Sequence, residues 1–132
     1  MAKKLIIGTV SVWVVWFIMD FIIHGNLLMP LYDQTASLWR PQAEMKMGLG
    51  IAVGLICAGA FSAVYVLMIS PKSMQAALKY AGLIGIAWGV GFGLGNYSYM
   101  PVPLSLAVYW FLAIFIESLA AGAILGFLVK DD

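Results

Sequence analysis

The chain has 132 residues, of which 64% are hydrophobic and only 10% are charged. Soluble domains carry about 25% charged residues, so this composition cannot cover a water-facing surface, and we predict an integral membrane protein. The formal net charge is +1 and no basic cluster is present, which argues against a nucleic-acid partner. The single cysteine, Cys57, excludes an internal disulfide and a CxxC motif.

Four hydrophobic stretches are long enough to cross a bilayer, because a transmembrane α-helix needs about 20 mostly apolar residues. They cover residues 5–24, 47–69, 80–97 and 104–128 and are called the first to fourth spans. They predict an all-α fold: a single membrane domain, residues 1–132, built as a four-helix bundle with an outer loop at 25–46. The basic start MAKK is followed by no small-residue cleavage site, so we expect the first span to be retained.

Basic residues predict the orientation, because cytoplasmic loops carry the excess of lysine and arginine. The lysines expected on one side are Lys3, Lys4, Lys72, Lys79 and Lys130. Only Arg40 and Lys46 fall on the other side. We therefore expect both termini in the cytoplasm, in a multi-pass protein of a bacterial inner membrane. Tyr32 and Trp39 of the outer loop should lie at the membrane interface, where amphipathic aromatic rings settle.

Short similarities suggest an internal repeat. HGNLLMP at the end of the first span resembles LGNYSYMP at the end of the third, and CAGAF in the second span resembles AAGAI in the fourth. Each half would be a two-helix hairpin in the same orientation, which gives a parallel repeat. Chance similarity in a chain rich in glycine, alanine and leucine is the alternative.

Small residues recur at four-residue spacing in three spans, and such seams let helix backbones approach closely in lipid. The expected packing residues are Gly50, Gly54, Gly85, Gly89, Gly93, Ser118, Gly122 and Gly126. At about 100° per residue, Asn96 falls on the same stripe as the glycines of the third span. We therefore expect its amide to hydrogen-bond to a neighbouring helix.

Ionisable residues inside the spans are the strongest functional signal. Asp20 and His24 are four residues apart and share one helix face. Glu117 lies near the middle of the fourth span, where a lone carboxylate is costly, so we expect it to be neutral or paired. At about 1.5 Å per residue it lies roughly one turn deeper than Asp20, with Asn96 at a depth similar to Asp20. These four residues are candidates for a proton or ion relay; the alternative is a structural hydrogen-bond network.

A copper site is a further candidate, since imidazole and thioether ligands suit Cu(I). The candidate ligands at the outer end are His24, Met29, Met45, Met47 and Met100. Methionine is also ordinary filler in apolar helices, and a haem would need a second axial ligand because His24 is the only histidine. We predict no cofactor. No nucleophile, phosphate loop or zinc motif indicates an enzyme.

Two features of the sequence occur together. Polar residues interrupt the end of the first span just before two leucines, and the last span is rich in glycine. The residues are His24, Gly25, Leu27, Leu28, Gly122 and Gly126. In these features the chain resembles small four-span bacterial membrane proteins of an uncharacterised family, although it has IHGNLL where that family would have an aromatic pair before the leucines. The resemblance implies the four-span fold and no particular chemistry.

These patterns favour a non-enzymatic protein that works by assembly, as an accessory subunit of a membrane complex or as a homo-oligomer. The reason is that the glycine seams and the two special faces of the fourth span offer more contact surface than one small bundle needs. The alternative is a small proton-coupled transporter or ion conduit that uses Glu117, Asp20 and His24, and a lesser alternative is a copper-binding protein. The expected partners are the lipid bilayer and other membrane subunits or copies of this chain.

Overall fold

The computed structural model describes residues 1–131, and the regular elements in these residues are all helices, with no strand among them. Four helices are long and apolar enough to cross a membrane: Ala2–Leu27, Met47–Met68, Met74–Tyr99 and Leu104–Leu128. These ranges are the first to fourth spans from this point on. The predicted all-helical fold with four membrane-length helices is confirmed.

The first and third spans begin earlier than the hydropathy indicated. The third begins at Met74, six residues before the predicted residue 80, because the Ser73 hydroxyl accepts a hydrogen bond of 3.1 Å from Ala76 N and caps the helix. Lys79 is therefore helical, and so are Lys3 and Lys4 in the first span. The ends of a membrane helix can extend beyond the hydrocarbon and carry charged residues there. A hydropathy window leaves these ends out because their charges lower the average.

The outer loop is more regular than its composition suggests. The first span ends in a π-helical turn, Ile23–Leu27, closed by a hydrogen bond of 2.8 Å from Leu28 N to Ile23 O. A short helix follows at Met29–Gln34, with proline in its first turn, where the missing amide hydrogen costs nothing. Two 3₁₀ turns, Ala36–Leu38 and Gln42–Glu44, complete the loop. We call the end of the bundle that carries this loop the loop end, and the opposite end the terminal end.

The order of the spans across the bundle is second, first, fourth, third. The third and fourth spans pack most extensively, and the first span packs against both the second and the fourth. The second and third spans meet mainly through aromatic side chains: the rings of Phe61 and Tyr80 lie 4.8 Å apart, and the Tyr80 hydroxyl donates a 2.7 Å hydrogen bond to Phe61 O. The first and fourth spans are therefore direct neighbours at the centre of the bundle.

Two buried clusters fill the bundle. The larger one lies toward the terminal end and includes Val12, Phe61, Tyr65, Tyr80 and Leu125. The smaller one lies at the loop end and contains Leu28, Val102, Leu106 and Trp110. Most other large apolar side chains are exposed, which suits a surface that meets lipid rather than water.

Glycines allow close approach mainly between the third and fourth spans. A Cβ atom at Gly89 would lie 3.0 Å from Phe111 O, and one at Gly122 would lie 2.9 Å from Ala77 O, so both sites lie against backbone. Similar crowding holds at Gly85, Gly93 and Gly126, with Ser118 as the neighbour of Gly85. In the second span, a Cβ atom at Gly54 would lie 3.6 Å from the Trp13 ring, whereas a Cβ atom at Gly50 would meet open space. The expected pair at 50 and 54 therefore meets the bundle only through Gly54.

We predict that Gly122→Ala lowers the thermal stability of the protein in detergent, although alanine is the better helix former. The added methyl group would press on the backbone of the third span, and overpacking of this kind costs about 1–3 kcal/mol. Intrinsic tryptophan fluorescence during heating measures the effect. Gly48→Ala is the matched control, because Gly48 has open space where the methyl group would go. Equal melting temperatures for the two variants would contradict the prediction.

Candidate functional site

Asp20 and His24 lie together near the loop end of the first span. His24 Nε2 is 3.7 Å from Asp20 Oδ1, as expected for residues four apart on one helix face. His24 belongs to the π-helical turn, whereas Asp20 precedes it. The Asp20 side chain is 59% exposed, so it can rotate, while the His24 side chain is about one-third exposed. The first span thus presents a carboxylate and an imidazole to the same region.

Glu117 joins this pair from the fourth span, because the first and fourth spans are direct neighbours. One ligand atom each from Asp20, His24 and Glu117 all lie within 4.8 Å of one another. The Trp16 indole nitrogen donates a 2.9 Å hydrogen bond to the backbone carbonyl of Glu117, which fixes this turn of the fourth span against the first. Glu117 is only 8% exposed. The three ionisable groups therefore form one cluster, which we call the acidic–histidine cluster.

The buried carboxyl of Glu117 is incompletely satisfied. Its Oε1 atom has no hydrogen-bond partner among residues 1–131. Buried polar atoms in folded proteins are almost always hydrogen-bonded, so each exception requires an explanation. The nearest charged group is Asp20, which has the same sign when both are ionised and cannot compensate the charge of Glu117.

A cavity of about 590 Å³ lies beside the cluster and is partly open. Both carboxylic residues, Asp20 and Glu117, line it. Its other walls are mainly apolar and come from all four spans; they include Trp16, Trp88 and Phe92. The cavity occupies the gap between the second and third spans, where few backbone contacts form. The lining of the cavity is therefore polar at Asp20 and Glu117 and mostly apolar or aromatic elsewhere.

Asn96 lies on the cavity wall and not in a helix seam. Its side chain makes no hydrogen bond to another part of the described chain, so the expected clasp across the glycine stripe is absent. The physical reason is the π-helical turn at Val90–Leu94, which precedes Asn96. A π turn holds more residues than an α turn, so a stripe counted at about 100° per residue loses its register beyond it. Gly93, inside the turn, still faces the fourth span.

An aromatic layer separates the cavity from the terminal end. The Trp16 ring lies 5.3 Å from Phe61 and 6.3 Å from Trp88, and Phe61 is 6.2 Å from Trp88 and 4.8 Å from Tyr80. We call Trp16, Phe61, Tyr80 and Trp88 the aromatic layer. Among the described residues, the layer contains no carboxylic or basic side chain, and Tyr80 contributes its only ionisable group, a hydroxyl that donates to Phe61 O. Packed aromatic rings therefore lie between the cavity and the terminal end.

Above the cluster, a hydrogen-bond chain connects His24 to the outer loop. His24 Nδ1 is 2.7 Å from the Tyr32 hydroxyl, and the Trp110 indole donates to that hydroxyl at 2.8 Å. Burial raises the pKa of the Tyr32 hydroxyl, so it stays protonated at neutral pH. Within the loop, the Trp39 indole donates to the Thr35 hydroxyl at 2.9 Å, and the Trp39 ring packs against the rings of Tyr32 and Trp110. The outer loop thus packs over the loop end of the bundle and holds the imidazole in place.

The predicted copper ligands occupy different surroundings. Met29, Met45 and Met47 are exposed, and Met100 packs against the buried cluster at the loop end. His24 is directed at the two carboxylic residues and at Tyr32. A copper site built from these methionines stays a prediction, whereas the atoms brought within metal-binding distance of His24 are carboxylate oxygens.

Three residues of the site were not identified as functional from the sequence: Trp16, Tyr32 and Trp110. Trp110 lies on the same helical stripe as Glu117, two turns away, so the pattern held a signal for it. Tyr32 carried no comparable signal, because its contact with His24 depends on how the loop folds back over the bundle.

Comparison with models of known families, with curated proteins and with solved structures found no match to this chain. Membership of the uncharacterised bacterial family therefore stays a prediction.

We predict that Tyr32→Phe destabilises the protein. It removes the acceptor of the buried Trp110 indole, and an unsatisfied buried donor costs about 1–3 kcal/mol. Tyr99→Phe is the control, because Tyr99 is 89% exposed. Thermal unfolding in detergent measures both. If Tyr32→Phe and Tyr99→Phe have equal melting temperatures, the hydrogen bonds of the Tyr32 hydroxyl do not stabilise the protein.

Proposed function

We propose that this protein is a small membrane carrier for a cation, the proton included, and that Asp20, His24 and Glu117 form its binding site. The observation that carries the proposal is the meeting of two carboxylic residues and an imidazole within 4.8 Å, beside a cavity between membrane-length helices. Ionisable residues inside membrane helices are costly, and they typically mark ion or proton pathways.

The charge of the site supports a cation as its occupant. Two carboxylates brought together in a low-dielectric region repel each other, and their ionised forms need compensating positive charge. Within the described residues, lysine and arginine are absent from the acidic–histidine cluster. His24 is the nearest basic group and can balance one carboxylate at most. A bound cation or proton supplies the remaining charge.

The shape of the cavity supports a carrier more than an open channel. The cavity is partly open and is lined by both carboxylic residues; in this proposal they are reached from the loop end, while the packed rings of the aromatic layer block the terminal end. A carrier needs this one-sided access and must then open the opposite side after its binding site is occupied. Release toward the terminal end would require rearrangement of Trp16 and Trp88, which stand between the cavity and that end.

The proposed setting is a bacterial inner membrane with both termini in the cytoplasm. The excess of lysine at the terminal end supports this orientation, which makes the loop end the outer side. A parallel two-hairpin repeat is part of the proposal. Its support is that the first and third spans each contain a π-helical turn near the loop end, at Ile23–Leu27 and Val90–Leu94.

The carrier proposal predicts that Glu117→Gln abolishes cation flux into proteoliposomes. The amide keeps the size of the side chain but removes the charge that binds the cation. Liposomes loaded with a pH indicator report proton flux, and indicators selective for other cations extend the measurement.

Glu44→Gln is the matched control, because Glu44 is exposed in the outer loop. It should transport like the parent chain. No flux in the parent, or the same flux in the parent and in Glu117→Gln, would rule out the carrier. Gel filtration of each variant checks that it is folded before the liposomes are formed.

Assembly remains a second candidate function, because one face of the second span is unpartnered. Gly50 has open space around it, whereas Gly54, its partner in the GxxxG spacing, packs against Trp13, so the open part of this face is the end that carries Gly50. Small residues exposed to lipid permit close helix association. This face fits a second copy of the chain or another membrane subunit.

If the second span is such an interface, Gly50→Leu should abolish crosslinking between copies in native membranes, because the leucine side chain would keep the backbones apart. Ala52→Leu adds the same bulk to another exposed position of that helix and should leave crosslinking intact. A parent chain that is only monomeric after crosslinking in membranes would contradict self-assembly.

A further inference from the structure

The acidic–histidine cluster has the composition of a metal site. It offers one imidazole and two carboxylates, and the ligand atoms all lie within 4.8 Å of one another. Ligands bound to one metal ion at about 2.0–2.2 Å lie roughly 3.5 Å apart in tetrahedral geometry. His24 Nε2 and Asp20 Oδ1 are already 3.7 Å apart. Because the Asp20 side chain is 59% exposed, it can rotate to close the remaining distances.

Glu117 supplies independent evidence for a ligand. Its side chain is more than nine-tenths buried, at 8% exposed, and Oε1 has no partner among residues 1–131. The residue also lines the cavity together with Asp20. A carboxylate oxygen that is buried, unpartnered and adjacent to a second carboxylate has the environment that a bound cation would satisfy.

The surroundings of His24 match those of a metal-binding histidine. Such a histidine usually has its second ring nitrogen hydrogen-bonded, which fixes the tautomer and the ring orientation. Here Nδ1 contacts the Tyr32 hydroxyl at 2.7 Å. A tyrosine hydroxyl has two acceptor lone pairs, so it can accept both the Trp110 indole hydrogen and a hydrogen on His24 Nδ1. In that tautomer Nε2 carries no hydrogen, and its lone pair points toward the carboxylic side of the cluster, as metal binding requires.

We propose that Asp20, His24 and Glu117 bind one divalent transition-metal ion of the zinc class. This inference rests on the cation site of the proposed function and names the chemical class of its cation. Mixed nitrogen and oxygen ligands suit Zn²⁺, Mn²⁺, Fe²⁺ or Co²⁺, whereas Ca²⁺ and Mg²⁺ prefer oxygen ligands alone and Cu(I) prefers sulfur. A divalent ion also neutralises the two carboxylates, which removes net charge from the membrane interior. The cavity leaves room for water or another ligand to complete the coordination.

The direct test is metal binding to the purified full chain in detergent after treatment with a chelator. Zn²⁺ is titrated by calorimetry, and Co²⁺ is added separately because its visible absorption reports the ligands around it. We expect one ion per chain. Glu117→Gln and His24→Gln should each weaken Zn²⁺ binding strongly and change the Co²⁺ spectrum. Tyr32→Phe, which removes the hydrogen-bond partner of His24 Nδ1 and of the Trp110 indole but leaves the three ligands in place, should weaken binding by roughly 10- to 100-fold.

Glu44→Gln is the control and should bind Zn²⁺ like the parent, because Glu44 lies in the outer loop. If Glu117→Gln fails to fold, Asp20→Asn provides the same measurement at an exposed position. A parent chain that binds no Zn²⁺ or Co²⁺, or that binds them equally well in the Glu117→Gln and His24→Gln variants, would overturn the metal site.

Metal binding and transport are measured separately, so the two proposals can fail separately. Proton flux that depends on Glu117 in a chain that binds no transition metal would overturn the metal site and leave the carrier in place. Zn²⁺ bound at these three residues in a chain without any cation flux would support the metal site and overturn the carrier.

Discussion

The central constraint on this structure is that a carboxyl group inside a membrane helix must be compensated. Glu117 is buried in the fourth span, and the group it meets is Asp20 of the first span, another acid. Two carboxyl groups this close cannot both stay ionised unless positive charge is added, and otherwise one of them holds a proton. The close packing of the first and fourth spans, the Trp16 hydrogen bond to the Glu117 backbone and the placement of His24 all maintain this arrangement.

The rest of the bundle positions the site and shapes the cavity beside it. Close contact through the glycines brings the third span against the fourth, while the second span packs against the first. The gap that remains between the second and third spans is the cavity, and the aromatic layer lies on its terminal-end side. At the loop end, Tyr32 and Trp110 orient the imidazole. Stability and site geometry therefore depend on the same contacts, so variants of the outer loop should affect both.

The carrier proposal and the metal-site proposal have the same starting point, which is that two neighbouring carboxyl groups attract a positively charged occupant. A carrier requires a cation that binds and leaves, and a transition-metal site requires three ligands held in position. The exposed Asp20 side chain suits the first requirement because it can move, and the hydrogen-bonded His24 suits the second because its ring is held.

Composition and periodicity were sufficient to predict the four membrane-length helices, because a helix that crosses lipid needs about 20 apolar residues and leaves that signal in the sequence. Helical spacing was also sufficient to place Asp20 beside His24. Beyond a single helix, the sequence carried less information. The π-helical turn at Val90–Leu94 moved Asn96 from the expected seam to the cavity wall, since counting at a fixed angle fails where the helix changes type. The meeting of Glu117 with Asp20, and of Tyr32 with His24, depended on which helices are neighbours and how the loop folds back. Only the tertiary structure decides these contacts, because they join residues far apart in the chain that no local pattern relates.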